Sequence, residues 1–160
     1  MSVFSDELRK KIEGYLTRYE TKRSAILPVL HAIQDEHGWV SPAQIEELHE
    51  TYGLDRVSVK EVITFYDIYN DEPVRKYTVR YCTNLTCTML GAKDAVKKIE
   101  GLIAKLDSEM GEDGPFCLEK FPCLGKCDGA PVMLVNKTRH EHATADKVED
   151  ILSQYAKLPK

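Results

Sequence analysis

The sequence predicts an α+β protein in two parts: a small helical bundle over residues 1–70, followed by an α/β sandwich over residues 71–160. Three observations lead to this. The first 70 residues repeat apolar side chains at helical spacing, punctuated by capping residues and glycines. Past Asn70-Asp71-Glu72-Pro73 an alternation of period two takes over, which is a strand signature. All five cysteines lie in the second part, between Cys82 and Cys127.

In the first helix Ser5 is placed to cap, Asp6 and Glu7 favour the positive end of the helix dipole, and Leu8, Ile12, Leu16 and Tyr19 share a face. The second starts near Ser24, accommodates Pro28 in its first turn and stops at Gly38. Ser41-Pro42-Ala43-Gln44 opens the third as a capping box with proline at the first helical position, and Gly53 marks its end. Ser58-Val59-Lys60-Glu61 reads as a second capping box, with Val59, Val62, Ile63 and Tyr66 lining the fourth helix.

In the second part Tyr77, Val79 and Tyr81 alternate with Lys76, Thr78 and Arg80, which predicts a strand. A helix follows from about Gly91, with Ala92, Ala95, Val96, Ile99, Leu102, Ile103 and Leu106 at helical spacing. Gly111-Glu112-Asp113-Gly114 predicts a turn into a strand at about 115–121, with further strands at Pro131–Asn136 and around Arg139–His142. Ala145–Leu158 is the closing helix, with Val148, Ile151, Leu152 and Tyr155 on one face. The order β-α-β-β-β-α suits a small α/β sandwich, and periodicity alone leaves open which one.

Composition narrows the function. A net charge of −4 and a pI of about 5.8 argue against a nucleic-acid partner, whose footprint is a basic patch. The longest apolar runs, such as Ala130–Val135, fall far short of the ~20 residues that cross a bilayer, so no direct membrane insertion is expected. The start, MSVFSDELRKKIEGYL, is charged throughout and lacks the apolar core of a secretory signal. The expected compartment is therefore the reducing cytoplasm, where cysteines serve as ligands or catalysts rather than as disulfides.

The cysteines form two pairs, C-x4-C at Cys82 and Cys87 and C-x3-C at Cys123 and Cys127, with 35 residues between them that include Cys117. Gly125 and Gly129 permit tight turns whose amide N–H groups can face an anionic centre. Two loops that each bring two thiolates can surround one compact centre. A thioredoxin-type dithiol needs C-x-x-C, which is absent. A structural zinc would take four thiolates, but its usual C-x2-C knuckles are missing. A 2Fe–2S cluster takes four cysteines and suits two pairs, although the plant-type ferredoxin spacing and the histidines of a Rieske centre are not present. Spacing favours the cluster over zinc and over unligated thiols, and all three stay open at this point.

The stretches CTNLTCTMLGA, EDGPFCLEKFPCLGKCDGAPVMLVN and LPVLHAIQDEHGWVSPAQIEELHETYGLDRVSVKEVITFYDIY go further. With C-x4-C-x3-G-A and C-L-G-x-C-x-x-A-P in that order, the chain resembles the thioredoxin-like 2Fe–2S subunits (E-type) of the NADH-oxidising arm of respiratory complex I. The resemblance covers nearly the whole chain. It implies that the second part is a thioredoxin-like α/β domain holding one 2Fe–2S cluster, with Cys82, Cys87, Cys123 and Cys127 as ligands and Cys117 outside the ligand pattern. It also implies a redox subunit of NADH:quinone oxidoreductase that exchanges single electrons with FMN on a neighbouring subunit. FMN and NADH would be bound there, on a heterodimeric partner docked by the helical part. Other peripheral-arm subunits would be further partners, and the complex would hold the chain at the cell membrane from the cytoplasm. All-thiolate ligation, at a formal charge of about −2 falling to about −3 on reduction, favours a low potential within the roughly −700 to +450 mV open to such clusters, while backbone N–H groups from the loops around Gly125 and Gly129 would raise it.

Related subunits serve NAD-linked hydrogenases and formate dehydrogenases. A free-standing ferredoxin is a further alternative, which the 70-residue helical part disfavours, and a zinc-bound interaction module is another. No residue pattern suggests acid–base or nucleophilic catalysis, and no G-x-G-x-x-G is present. The remaining features have plainer readings. Trp39 and Tyr66 are expected to pack, His140-Glu141-His142 to be a solvated strand end, and Arg9-Lys10-Lys11 a solvated face. His31, His37 and His49 are expected to carry no chemistry. Pro131 stands where a thioredoxin fold commonly has a cis proline before a strand.

Overall fold

The computed structural model describes residues 3–110 and 114–157, and the chain separates into two compact units that divide between Val74 and Arg75. The first unit holds α1 (Asp6–Arg18), α2 (Ile26–His37), α3 (Pro42–Tyr52) and α4 (Arg56–Phe65), with one 3-10 turn at Arg23–Ala25 ahead of α2.

Capping explains where these helices begin and end. Ser5 Oγ accepts the Leu8 N–H at 3.1 Å. Ser41 and Gln44 complete the capping box of α3: Gln44 N–H donates to Ser41 Oγ at 3.3 Å and Ser41 N–H to Gln44 Oε1 at 2.8 Å. Gly38 (φ +82°) and Gly53 (φ +65°) close α2 and α3 in the left-handed region, which a Cβ disfavours.

Two details depart from the sequence reading. α4 begins earlier than the Ser58 capping box implied, because Asp55 is the cap and its carboxylate accepts the Ser58 N–H at 2.8 Å. Hydrogen bonds from the Ser58 backbone and hydroxyl hold Asp55 below the usual carboxylate range. Tyr19 does not extend the apolar stripe of α1: it caps the helix in an extended conformation and is exposed, while Tyr15 packs on the core in its place.

The core of this unit is built by Leu8, Ile12, Val29, Leu30, Ile33 and Val59, all fully buried. Polar ties secure its last segment, since Tyr69 O–H donates to Leu27 O at 2.9 Å and the Gln34 carboxamide spans Ile68 O (2.6 Å) and Asn70 N–H (2.7 Å). Trp39 is half-buried, whereas Tyr66 is exposed beside Phe65, against the expectation that it packs.

The second unit runs β1 (Tyr77–Cys82), α5 (Leu85–Met89), α6 (Ala92–Met110), β2 (Phe116–Phe121), β3 (Met133–Val135), β4 (Thr138–His140) and α7 (Val148–Ser153). Its sheet has the order β2-β1-β3-β4: β1 and β2 are parallel, and β3 is antiparallel to both β1 and β4. Tyr77, Val79 and Tyr81 turn one face of β1 toward the core that α6 and α7 share. This is the α+β, thioredoxin-like arrangement that the resemblance implies.

The short helix α5 has no counterpart in the periodicity, and the closing helix is trimmed from Ala145–Leu158 to Val148–Ser153, with residue 158 outside the described residues. Most of the expected Gly111–Gly114 turn also lies outside the described residues. The strand expected at Pro131–Asn136 narrows to Met133–Val135, and the Ala130–Pro131 bond ahead of it is cis. The polar alternates of β1 are not solvated. Thr78 is buried, and Arg80 pairs with its register partner Glu119 at 2.6 Å.

Ile33→Ala should lower unfolding free energy by about 2–5 kcal/mol, because a fully buried branched side chain leaves a cavity. Ser41→Ala should cost about 1 kcal/mol through loss of the cap, and Val57→Ala, at an exposed position, less than about 0.5 kcal/mol. Urea titration followed by circular dichroism measures all three.

Candidate metal centre

β1 and β2 run parallel with Cys82 in register with Phe121, so the strand ends that carry the two cysteine loops arrive side by side. Backbone and side chains tie the loops there. Thr83 N–H and Oγ1 both donate to Phe121 O, at 2.9 and 3.2 Å, and Asn84 Nδ2 donates to Pro122 O at 3.1 Å. Asn84 also caps α5 by accepting the Leu85 N–H at 2.9 Å, which orients the turn that presents Cys87. Behind both, Cys82 N–H donates to Val132 O at 3.1 Å, joining the first loop to the segment after the cis proline.

Four cysteines meet at this end of the sheet. Cys82 and Cys87 are buried, while Cys123 and Cys127 are exposed, and all five cysteines of the chain are free thiols. Cys82 shares hydrogen bonds with Cys87 and Cys123, and Cys127 lies close enough to Cys87 for its charge to act there. Burial acts to raise the Cys82 thiol. The Asn84 and Leu124 backbone groups, with the neighbouring thiols, outweigh it and hold Cys82 below the ordinary thiol value. Cys87 moves the other way, raised by burial and by its hydrogen bond to Cys82.

The second loop also turns its backbone on sulfur. Gly125 has φ +67°, and its N–H donates to Cys123 Sγ at 3.3 Å. Gly129 serves differently from expectation: its φ is ordinary, and the Glu141 carboxylate group lies against it, with Cδ 2.7 Å from where a Cβ would stand, so a side chain there would displace the end of Glu141. Cys127–Gly129 forms a 3-10 turn, closed against the end of β4 by His142 N–H donating to Gly129 O at 2.8 Å. Beneath the thiols, Tyr81 is fully buried, donates its O–H to Ala143 O, and is pushed well above the usual phenol value by burial and by the Cys87 and Cys82 charges.

Cys117 stands apart. It pairs with Thr78 in the strand register, four positions from Cys82 and so roughly 13 Å along the strand at ~3.3 Å per residue. Its half-buried thiol donates toward Thr78 Oγ1 at 3.4 Å.

Sequence reasoning missed α5, the Asn84 tie and a ring of charges over the second loop made by Lys126, Asp128, Arg139 and Glu141. An Asn directly before a helical stretch signals the first two. Of the solvated strand end expected at His140-Glu141-His142, Glu141 and His142 are exposed, but His140 is half-buried: its Nε2 is 2.7 Å from Tyr155 Oη, and burial holds its imidazole below the ordinary value.

The donor set suits an iron–sulfur centre. Four soft sulfurs come in two pairs on two loops, with backbone N–H groups aimed at sulfur, which is how such clusters are held and their charge offset. Among the described residues no group of three or more His, Cys, Asp or Glu is arranged to hold a single metal ion; a two-iron cluster asks only for two thiolates per iron.

Known proteins resemble this chain in sequence. The chain is 32% identical over 152 residues to the E-type subunit of NADH-quinone oxidoreductase from Aquifex aeolicus, covering 95% of each chain. It is 33% identical over 148 residues to an E-type subunit of the Rhizobium meliloti NADH-quinone oxidoreductase, covering 92% of this chain and 88% of that one. The E-type chain of the Escherichia coli K12 NADH-quinone oxidoreductase is 31% identical over 150 residues, covering 92% and 89%. Residues 12–156 match the family described as thioredoxin-like 2Fe-2S ferredoxin, and the chain, with its two cysteine loops at one end of a four-stranded sheet, belongs to that 2Fe–2S family.

Proposed function

We propose that this chain is the electron-transfer subunit of an NADH:quinone oxidoreductase, with Cys82, Cys87, Cys123 and Cys127 as the ligands of its 2Fe–2S cluster. The observation that carries this reading is the asymmetry of the four thiols. Two are buried against the sheet and two are exposed, so a centre held among them is anchored in the domain and reachable from its surface. When bound, the cluster supplies a reversible one-electron site. The protein's own contribution is to set the donors in place. The Asn84 and Thr83 ties hold the first pair against the second, and the N–H groups of Asn84, Leu124 and Gly125 face sulfur where negative charge accumulates.

The electron source in this reading is FMN on a neighbouring NADH-binding subunit, and the helical unit is the docking element. Val57 and Phe65, near the two ends of α4, are 65% and 77% exposed and give that unit apolar side chains at its surface of the kind that partner surfaces cover. Among the described residues no helix is long and apolar enough to cross a membrane, so attachment to one would come through the complex.

Replacing Cys82, Cys87, Cys123 or Cys127 by Ser exchanges a soft thiolate for a harder oxygen donor, and should strip or sharply deplete the bound iron and sulfide and the visible absorption. Cys117→Ala should retain them at a stability cost of about 1 kcal/mol. Cluster loss in Cys117→Ala, with full retention in one of the four Ser variants, would overturn the ligand assignment.

The purified chain should be reduced by dithionite, with one electron taken up per cluster, and left oxidised by NADH. With the flavin subunit added, NADH should reduce it. Phe65→Asp should lower recovery of that subunit in co-purification while leaving the absorption intact. Bleaching of the isolated chain by NADH, or undiminished recovery with Phe65→Asp, would count against this account of the partner.

A further inference from the structure

Lys126 stands between Cys123 and Cys127 without a part in ligation, and its ammonium is captured twice. It pairs with Asp128 in the next turn and lies 4.0 Å from Glu141 Oε2 at the end of β4. Glu141 is itself steered by Arg139, whose Nε is 3.4 Å from its other oxygen. Gly129 leaves room for the Glu141 carboxylate group, which a side chain there would push aside. A long surface lysine ordinarily wanders; this one, rooted in the second cysteine loop, is held by acids from two different elements.

Burial separates the members of this ring. The Lys126 side chain is 27% exposed, Glu141 35%, Arg139 52% and Asp128 74%. The Lys126 charge, carried by a residue between the two cysteines in sequence, is thus the least screened by water, and its closest counter-charge is the most screened. The potential of an iron–sulfur centre responds to nearby charge, to hydrogen bonds on sulfur and to solvent exposure. Adding one electron to an anionic cluster is favoured by a fixed cation nearby and opposed by a fixed anion.

We propose that Lys126, clamped by Asp128 and Glu141, is the residue that tunes how readily the cluster takes its electron. It is a positioning residue that raises the potential without touching the irons, and Glu141 and Asp128 moderate it. The proposal rests on Cys123 and Cys127 being ligands. The step itself is a single electron passing from an external one-electron reductant to the cluster, whose charge falls by one while Lys126 keeps its proton and no bond is made or broken.

The test is a redox titration of the cluster-loaded protein, read by visible absorption and electron paramagnetic resonance against mediator dyes. Lys126→Gln should lower the ratio of reduced to oxidised cluster at a fixed poise about three- to tenfold, the upper limit being a 59 mV fall for a one-electron couple. Lys126→Arg, which keeps the charge, should stay within about twofold of the parent, and Glu141→Gln and Asp128→Asn should both raise the ratio. The Lys126→Gln shift should shrink in 1 M salt, where the screening length falls to about 3 Å. An unmoved midpoint in a fully loaded Lys126→Gln protein, or an Arg variant shifted as far as the Gln variant, would overturn the proposal. Should Lys126→Gln fail to hold a cluster, Glu141→Gln decides, because a ratio that does not rise in it also overturns the proposal. Iron and sulfide content keeps this apart from the ligand assignment: a wrong ligand set appears as unexpected loading in the Cys variants, a wrong tuning residue as normal loading at an unchanged midpoint.

Discussion

The parallel pairing of β1 with β2 is the constraint on which the second unit depends. Antiparallel strands could be joined by a short hairpin, and their cysteine loops would then leave opposite ends of the sheet. A parallel pair needs a crossover, which α5 and α6 supply, and it returns β2 pointing the same way as β1. Cys82 then ends one strand, and Cys123 follows the other by two residues. The 35 residues between the cysteine pairs are the length of this crossover and its return strand, which is why so distant a spacing yields so compact a group of thiols.

Burial in this unit follows from the same pairing. β1 is flanked on both sides, by β2 and β3, so neither of its edges is left unpaired. One face carries Tyr77, Val79 and Tyr81 into the shared core with α6 and α7. The other carries Thr78 and Arg80, which the alternation alone would send to solvent. Arg80 instead meets Glu119 directly across the register, and Thr78 accepts the Cys117 thiol while its N–H donates to Asn136 Oδ1 at 2.8 Å. Polar groups on a central strand are tolerated here because each has a partner.

Much of this was legible in the sequence. The helices of the first unit announce themselves through Ser5, the Ser41–Gln44 box, Gly38 and Gly53, because caps act over three or four residues and leave their signature locally. The four cysteines stand out by spacing and by resemblance. Less legible was whatever depends on contacts between distant segments. Ser58 looks like a cap until Asp55, three residues earlier, is seen to accept its N–H. α5 is five residues long, too short for periodicity to register. Gly129 reads as a conformational glycine, yet its φ is ordinary and what lies against it is a carboxylate group twelve residues further on, which no local pattern can announce.

The Asn84 and Thr83 ties have a consequence for the rate at which an electron can move. A site that swings its donors when its charge changes must wait for that motion, and the cost of the rearrangement enters the activation barrier of each transfer. Here the donors to Phe121 O and Pro122 O come from the first loop itself, and the dipoles nearest sulfur are backbone N–H groups fixed by the sheet and its turns. Such dipoles are already oriented before the charge arrives. The hydrogen-bonded frame thus leaves few protein donors free to rearrange at the cysteine loops, whatever the midpoint potential proves to be.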